Sequence, residues 1–112
     1  MVQSKTELFN NELVQKARLF KALAHPARLR ILQFLAETSA CITGDISDEI
    51  PLGRTTVNQH LKELKDAGLI LGQIDGVKTQ YCLNQEKLKE VKALFVDFLN
   101  EIEPKEDFIC ET

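Results

Sequence analysis

The clearest chemistry in the chain lies between Arg54 and Ala67. Val57, Leu61 and Leu64 recur at helical spacing and mark one inward stripe. The opposite face carries Arg54, Thr55, Asn58, Gln59 and Lys62, with Thr56 beside Thr55. Asn and Gln pair bidentately with adenine, Arg with guanine, and hydroxyls with base edges or phosphate. A helix bearing this set suits a DNA major groove. The competing reading is a surface helix that is polar because water covers it. The residues beyond the helix decide for DNA: Gly68 stops it, and Asp75-Gly76 is a two-residue hairpin signal. Lys78, past the hairpin tip, reads as a phosphate or minor-groove contact or as an ordinary exposed lysine. His60 sits beside the apolar stripe, which favours a hydrogen-bonded packing or phosphate role over base reading.

The elements that must position this face are legible from periodicity. Leu8, Phe9, Leu13, Ala17, Phe20 and Leu23 predict a helix over 5–23. His25-Pro26 breaks it, with His25 a helix-joint residue rather than a metal ligand, and a second helix runs from about Ala27 to Ala36. Thr43 or Ser47 can cap a short third helix ending near Ile50-Pro51, and Thr55 or Thr56 can cap the fourth. Leu69 to Leu71 and Lys78 to Leu83 are the two hairpin strands. A last helix spans about Gln85 to Glu103, with Leu88, Val91, Leu94, Phe95, Phe98, Leu99 and Ile102 on a wide apolar stripe, and Pro104 ends it. The expected fold is mainly α (α+β): a winged helix-turn-helix with four helices, a β-hairpin wing and a C-terminal dimerisation helix. Residues 1–112 form one domain, with the helix-turn-helix at 43–68 and the wing at 69–83.

A chain of 112 residues has room for one modest core, so burial against a second subunit would help. No apolar run is long enough to span a bilayer, and the polar start is no signal peptide, so no membrane role and a cytoplasmic location are expected. The net charge of −3 argues against DNA until its distribution is read. Gln15 to Ala36 holds Lys16, Arg18, Lys21, Arg28 and Arg30 and no acid, whereas residues 86–112 carry a local −4. Residues 1–85 are therefore at +1. Only some of the five cations can reach phosphate, because a helix exposes part of its circumference. No Gly-rich phosphate loop, metal-ligand cluster or nucleophile-base pair is present, so no enzyme is expected. A winged-helix protein-interaction module is the alternative, although such a module does not need Arg54, Thr55, Asn58 and Gln59 facing outward.

Two segments, Lys21-Ala22-Leu23-Ala24-His25-Pro26-Ala27-Arg28-Leu29-Arg30-Ile31-Leu32 and Thr56 to Ile70, resemble the ArsR/SmtB family of metal- and stress-responsive repressors. The second is similar to that family's recognition helix, and with the hairpin and last helix the resemblance covers roughly residues 10–100. It implies a homodimer whose interface is the helices at 5–23 and 85–103, an approximate inverted-repeat operator in double-stranded DNA, and repression relieved by an inducer. The apolar stripes on both terminal helices agree with a dimer.

The inducer is where the resemblance thins. The family's arsenic sensors carry Cys-Val-Cys at the third helix, whereas this chain has Cys41-Ile42-Thr43. A soft metal usually needs two or three thiolates. The family's zinc site on the last helix needs His, and this last helix has none. No cofactor is implied, with a metal or metalloid at Cys41 and Cys110 left open. Those two cysteines can meet as a thiol site, the signal can be something else, or the cysteines can be structural. Three cysteines without tight spacing argue against a disulfide framework, and Cys82 on its strand reads as core.

Overall fold

The computed structural model describes residues 8–38, 41–43, 50–73 and 80–104. Helix α1 spans Asn11–Leu23. Asn10 caps it, its side chain accepting a hydrogen bond from the Leu13 amide at 2.8 Å. The helix therefore starts later than residue 5, and Leu8 and Phe9 precede it. Helix α2 spans Pro26–Glu37, with Pro26 in its first turn and His25 as its cap. His25 Nδ1 accepts from the Ala27 amide at 3.0 Å, so the helix-joint reading of that residue is what the structure has.

Residues 41–43 depart from expectation. Cys41–Thr43 form a strand, β1, with Thr43 opposite Gln80. The physical cause is long-range: strand β3, Gln80–Leu83, offers its backbone as an antiparallel partner. The remainder of the expected third helix lies outside the described residues, apart from Ile50, which is buried. The turn through Pro51 and Leu52 then leads into α3, Arg54–Asp66. Its cap is Gly53, in extended geometry, and not Thr55 or Thr56, which fall inside the first turn with exposed side chains.

Helix α3 stops as its sequence demands. Gly68 has φ +82°. The Leu69 amide donates to the Leu64 carbonyl at 3.0 Å and the Gly68 amide to that of Lys65 at 2.9 Å. That pair of bonds is a Schellman ending, and its two apolar positions, Leu64 and Leu69, are both fully buried in the core. The chain leaves directly into β2, Ile70–Gln73. β3 lies between β1 and β2 in a three-stranded antiparallel sheet. Gln73 is opposite Gln80, whereas a continuous ladder closed at Asp75-Gly76 would set it opposite Lys78. The hairpin tip itself, 74–79, lies outside the described residues.

Asn84 bridges the sheet to the last helix, α4, Gln85–Glu101. Its side chain accepts from the Lys87 amide at 3.2 Å and donates to the Gly68 carbonyl at 2.9 Å. One core ties these elements together: Ile31 and Leu35 of α2, Val57, Leu61 and Leu64 of α3, Ile70, Tyr81 and Val91. Helices α1 and α4 join through Phe20, which stacks on Phe95 at 4.4 Å and meets Phe98 edge-on at 5.6 Å.

Candidate nucleic-acid interface

At about 100° per residue around a helix, Thr55, Gln59 and Lys62 lie opposite the buried Val57, Leu61 and Leu64. The structure leaves Arg54, Thr55, Thr56, Gln59 and Lys62 exposed and Asn58 half-buried at the margin of the face. The sequence-predicted readers of α3 therefore share one accessible surface, with Thr55, Gln59 and Lys62 at its centre. Gln59 is not idle: its Nε2 donates to Glu63 Oε1 at 3.2 Å. Base reading would exchange that bond for one to DNA. Lys78 lies outside the described residues.

His60 is turned inward, and only 8% of its surface is exposed. Its Nδ1 accepts from Arg28 Nε at 3.1 Å, and its ring lies 4.2 Å from that of His25. Arg28 also donates to the carbonyls of Ala22 at 3.3 Å and Lys21 at 3.5 Å. One guanidinium thus links the end of α1, the start of α2 and the reading helix. Sequence reasoning missed this link, since no local pattern announces a contact spanning 32 residues.

Burial is the main cause holding the His60 imidazole below its ordinary pKa. His25 and Arg28 push the same way, against Glu63. A histidine depressed in the folded state is neutral there and charged more readily when unfolded. Its contribution is therefore fully present above about pH 6.5 and is lost as pH falls from there through the folded pKa. Urea midpoints should fall between pH 7.5 and 5.5. His60→Gln should flatten that interval, and an unchanged slope in the variant would assign the effect elsewhere.

The other predicted cations divide. Lys16 is committed to Glu101 of α4 at 3.2 Å, and Arg30 to Glu37 at 3.2 Å. Arg18 and Lys21 are exposed on α1. Of the five basic residues in the acid-free stretch, three are thus engaged within the chain.

Cys41 does not stand as a free thiol. It forms a disulfide with Cys82, directly opposite it in the β1–β3 register. Cys82 is therefore not a simple core residue, as its sequence context suggests, and Cys110 lies outside the described residues. A soft metal needs thiolate donors, and with its sulfur bonded to Cys82, Cys41 offers none. Among the described residues no group of three or more His, Cys, Asp or Glu is placed to hold a metal. The residues in view do not fit a metal site in this state.

A polar-faced helix after a tight turn, backed by a small antiparallel sheet, defines a winged helix-turn-helix. Known proteins agree. A family described as a helix-turn-helix domain matches residues 23–73. The HTH-type transcriptional regulator MJ1325 of Methanocaldococcus jannaschii is 35% identical over 78 residues, 70% of this chain and 88% of that protein. The regulator CmtR of Mycobacterium tuberculosis is 30% identical over 95 residues, 85% of this chain and 80% of its own. The solution structure of Mb0332 from Mycobacterium bovis is described as a homodimeric winged helix-turn-helix DNA-binding domain of a possible ArsR-family regulator. It superposes with a TM-score of 0.57 at 26% identity, over 98% of this chain and 99% of that one. The chain belongs to the ArsR/SmtB family of winged helix-turn-helix transcriptional regulators. It is a DNA-binding regulator and not an enzyme.

Proposed function

We propose that the protein is a homodimeric repressor that works in the cytoplasm, reads an approximate inverted repeat and is released by an inducer. The observation that carries this reading is the accessible face of α3. Thr55, Gln59 and Lys62 are its centre, and Arg54, Thr56 and Asn58 flank it. Dimerisation has its own support. Leu13 on α1 and Val96 and Leu99 on α4 are exposed, as are Phe9 before α1 and Ile102 after α4. Large apolar residues clustered on two adjoining helices mark an interface. A two-fold axis through them presents two copies of α3, which is why the operator is an inverted repeat.

The test is titration of a duplex covering the gene's own promoter at increasing salt. Affinity should fall about a thousandfold between 50 and 200 mM, as six or more phosphate contacts require. Gln59→Ala should narrow the gap between operator and unrelated DNA by about 1–3 kcal/mol. Salt-insensitive binding, or a variant with full preference, would overturn the assignment.

A further inference from the structure

We propose that Cys41 and Cys82 are a reversible thiol–disulfide exchange site whose substrate is a low-molecular-weight disulfide of the glutathione type, and that its closed form is the tighter DNA binder. The regulation rests on α3 and the wing being the DNA-reading surface.

The two cysteines face each other across neighbouring strands, with Cα atoms 4.0 Å apart. Their accessibility differs: Cys41 is exposed on the edge strand, while Cys82 is half-buried on the central one. That asymmetry assigns the roles. The Cys41 thiolate attacks one sulfur of the small disulfide, forming a mixed disulfide and releasing one thiol. The Cys82 thiolate then attacks Cys41 Sγ, the Cys41–Cys82 bond forms, and the second thiol departs. Two protein thiols are oxidised, one small disulfide is reduced to two thiols, and the two protons leave with them. Excess small thiol runs both steps backward. A DNA-binding regulator works beside DNA, where a reducing thiol pool is the rule. Disulfides found in that compartment are usually transient and serve sensing or catalysis.

The position of the bond gives the exchange a consequence. The chain between the two cysteines, 41 residues in separation, contains Ile50, all of α3 and β2. Closing the bond encloses the reading helix in a covalent ring and fixes β1 on β3. With the bond open, β1 is a three-residue edge strand held by backbone pairing and by Ile42 against the core. A two-stranded hairpin is marginal by itself, so loss of β1 loosens the frame beneath the wing. The reduced protein should therefore hold DNA less firmly.

The experiment equilibrates the full-length protein in buffers of graded reduced-to-oxidised glutathione ratio, traps free thiols by alkylation and maps them by mass spectrometry. Each sample is also titrated with the promoter duplex. The expected result is Cys41–Cys82 linkage that forms and reverses with the ratio, and promoter affinity about 10-fold weaker in the reduced protein. Cys41→Ser and Cys82→Ser should each bind like the reduced form at every ratio, while Cys110→Ser should keep the full response. Linkage of Cys41 to Cys110 instead, a bond that does not reverse, or tighter binding by the reduced form would overturn the proposal. Equal binding by both forms sinks the regulation alone. Binding by neither form, with the thiols still exchanging, sinks the DNA reading and this regulation with it.

Discussion

Gly72→Ala is expected to destabilise the protein by about 3 kcal/mol or more, read as a fall in the urea midpoint. Gly72 has φ +126°, a backbone conformation that side chains rarely adopt. Space is lacking as well. A Cβ there would overlap the Gln80 carbonyl oxygen and sit 2.8 Å from Tyr81 Cα. Both obstacles are backbone of the central strand, so no side chain can swing aside. Tyr81, opposite Gly72, is fully buried in the core, and shifting β3 would disturb that packing. The control is Gly53→Ala. Gly53 has φ −67° and nothing within 4 Å of an added Cβ, so it should cost less than about 1 kcal/mol. Equal effects at the two glycines would show that the close approach of β2 and β3 does not constrain the wing.

The contrast between those glycines bears on what can be read from sequence. Gly68 is legible as a helix stop because its signal is local: an apolar stripe ends and a glycine comes next. Val57, Leu61 and Leu64 are legible for the same reason, since helical periodicity names the buried face directly. Asn84 carries a cap signal of the same kind, standing just before an amphipathic run, though its bond to Gly68 has no local cue. Gly72 gives no such cue either, because its role depends on Gln80 and Tyr81 across the hairpin. β1 is hidden more deeply. Cys41-Ile42-Thr43 is three residues long, and its partner lies some forty residues onward. A helix start at those residues is what the family pattern suggests, whereas the strand and the disulfide are consequences of tertiary register.

Charge shows the same division. A stretch of five cations without acids reads as a phosphate-binding surface, and its composition supports no finer statement. Tertiary structure sorts the five, committing Lys16 and Arg30 to carboxylates and Arg28 to the interior joint. DNA affinity must then draw on cations such as Lys62 that point away from the core. This reconciles an acidic chain with DNA binding: placement decides, and the acidic excess in 86–112 lies in and beyond α4.

Arg28→Ala separates a structural cation from a DNA-contacting one, and is expected to cost about 2–3 kcal/mol of stability. The loss comes from removing a charged donor to His60 Nδ1 and to the carbonyl of Ala22, leaving part-buried acceptors without their partner. Arg28→Lys should recover little, because one ammonium cannot reproduce the geometry of the guanidinium fork. Promoter affinity should fall with the salt slope unchanged, since the defect lies in how α3 is held. Lys62→Ala should do the reverse: stability within about 0.5 kcal/mol of wild type, and a salt slope reduced by about 1. A salt slope that drops in Arg28→Ala would place that guanidinium on phosphate and refute the joint. His60 supplies an independent readout. Arg28 is one of the groups depressing its pKa, so without Arg28 that pKa should rise toward its ordinary value. The span between folded and unfolded values then narrows, and Arg28→Ala should lose less stability than wild type on acidification from pH 7.5 to 5.5. A phosphate contact on the surface would leave that acid limb as it was.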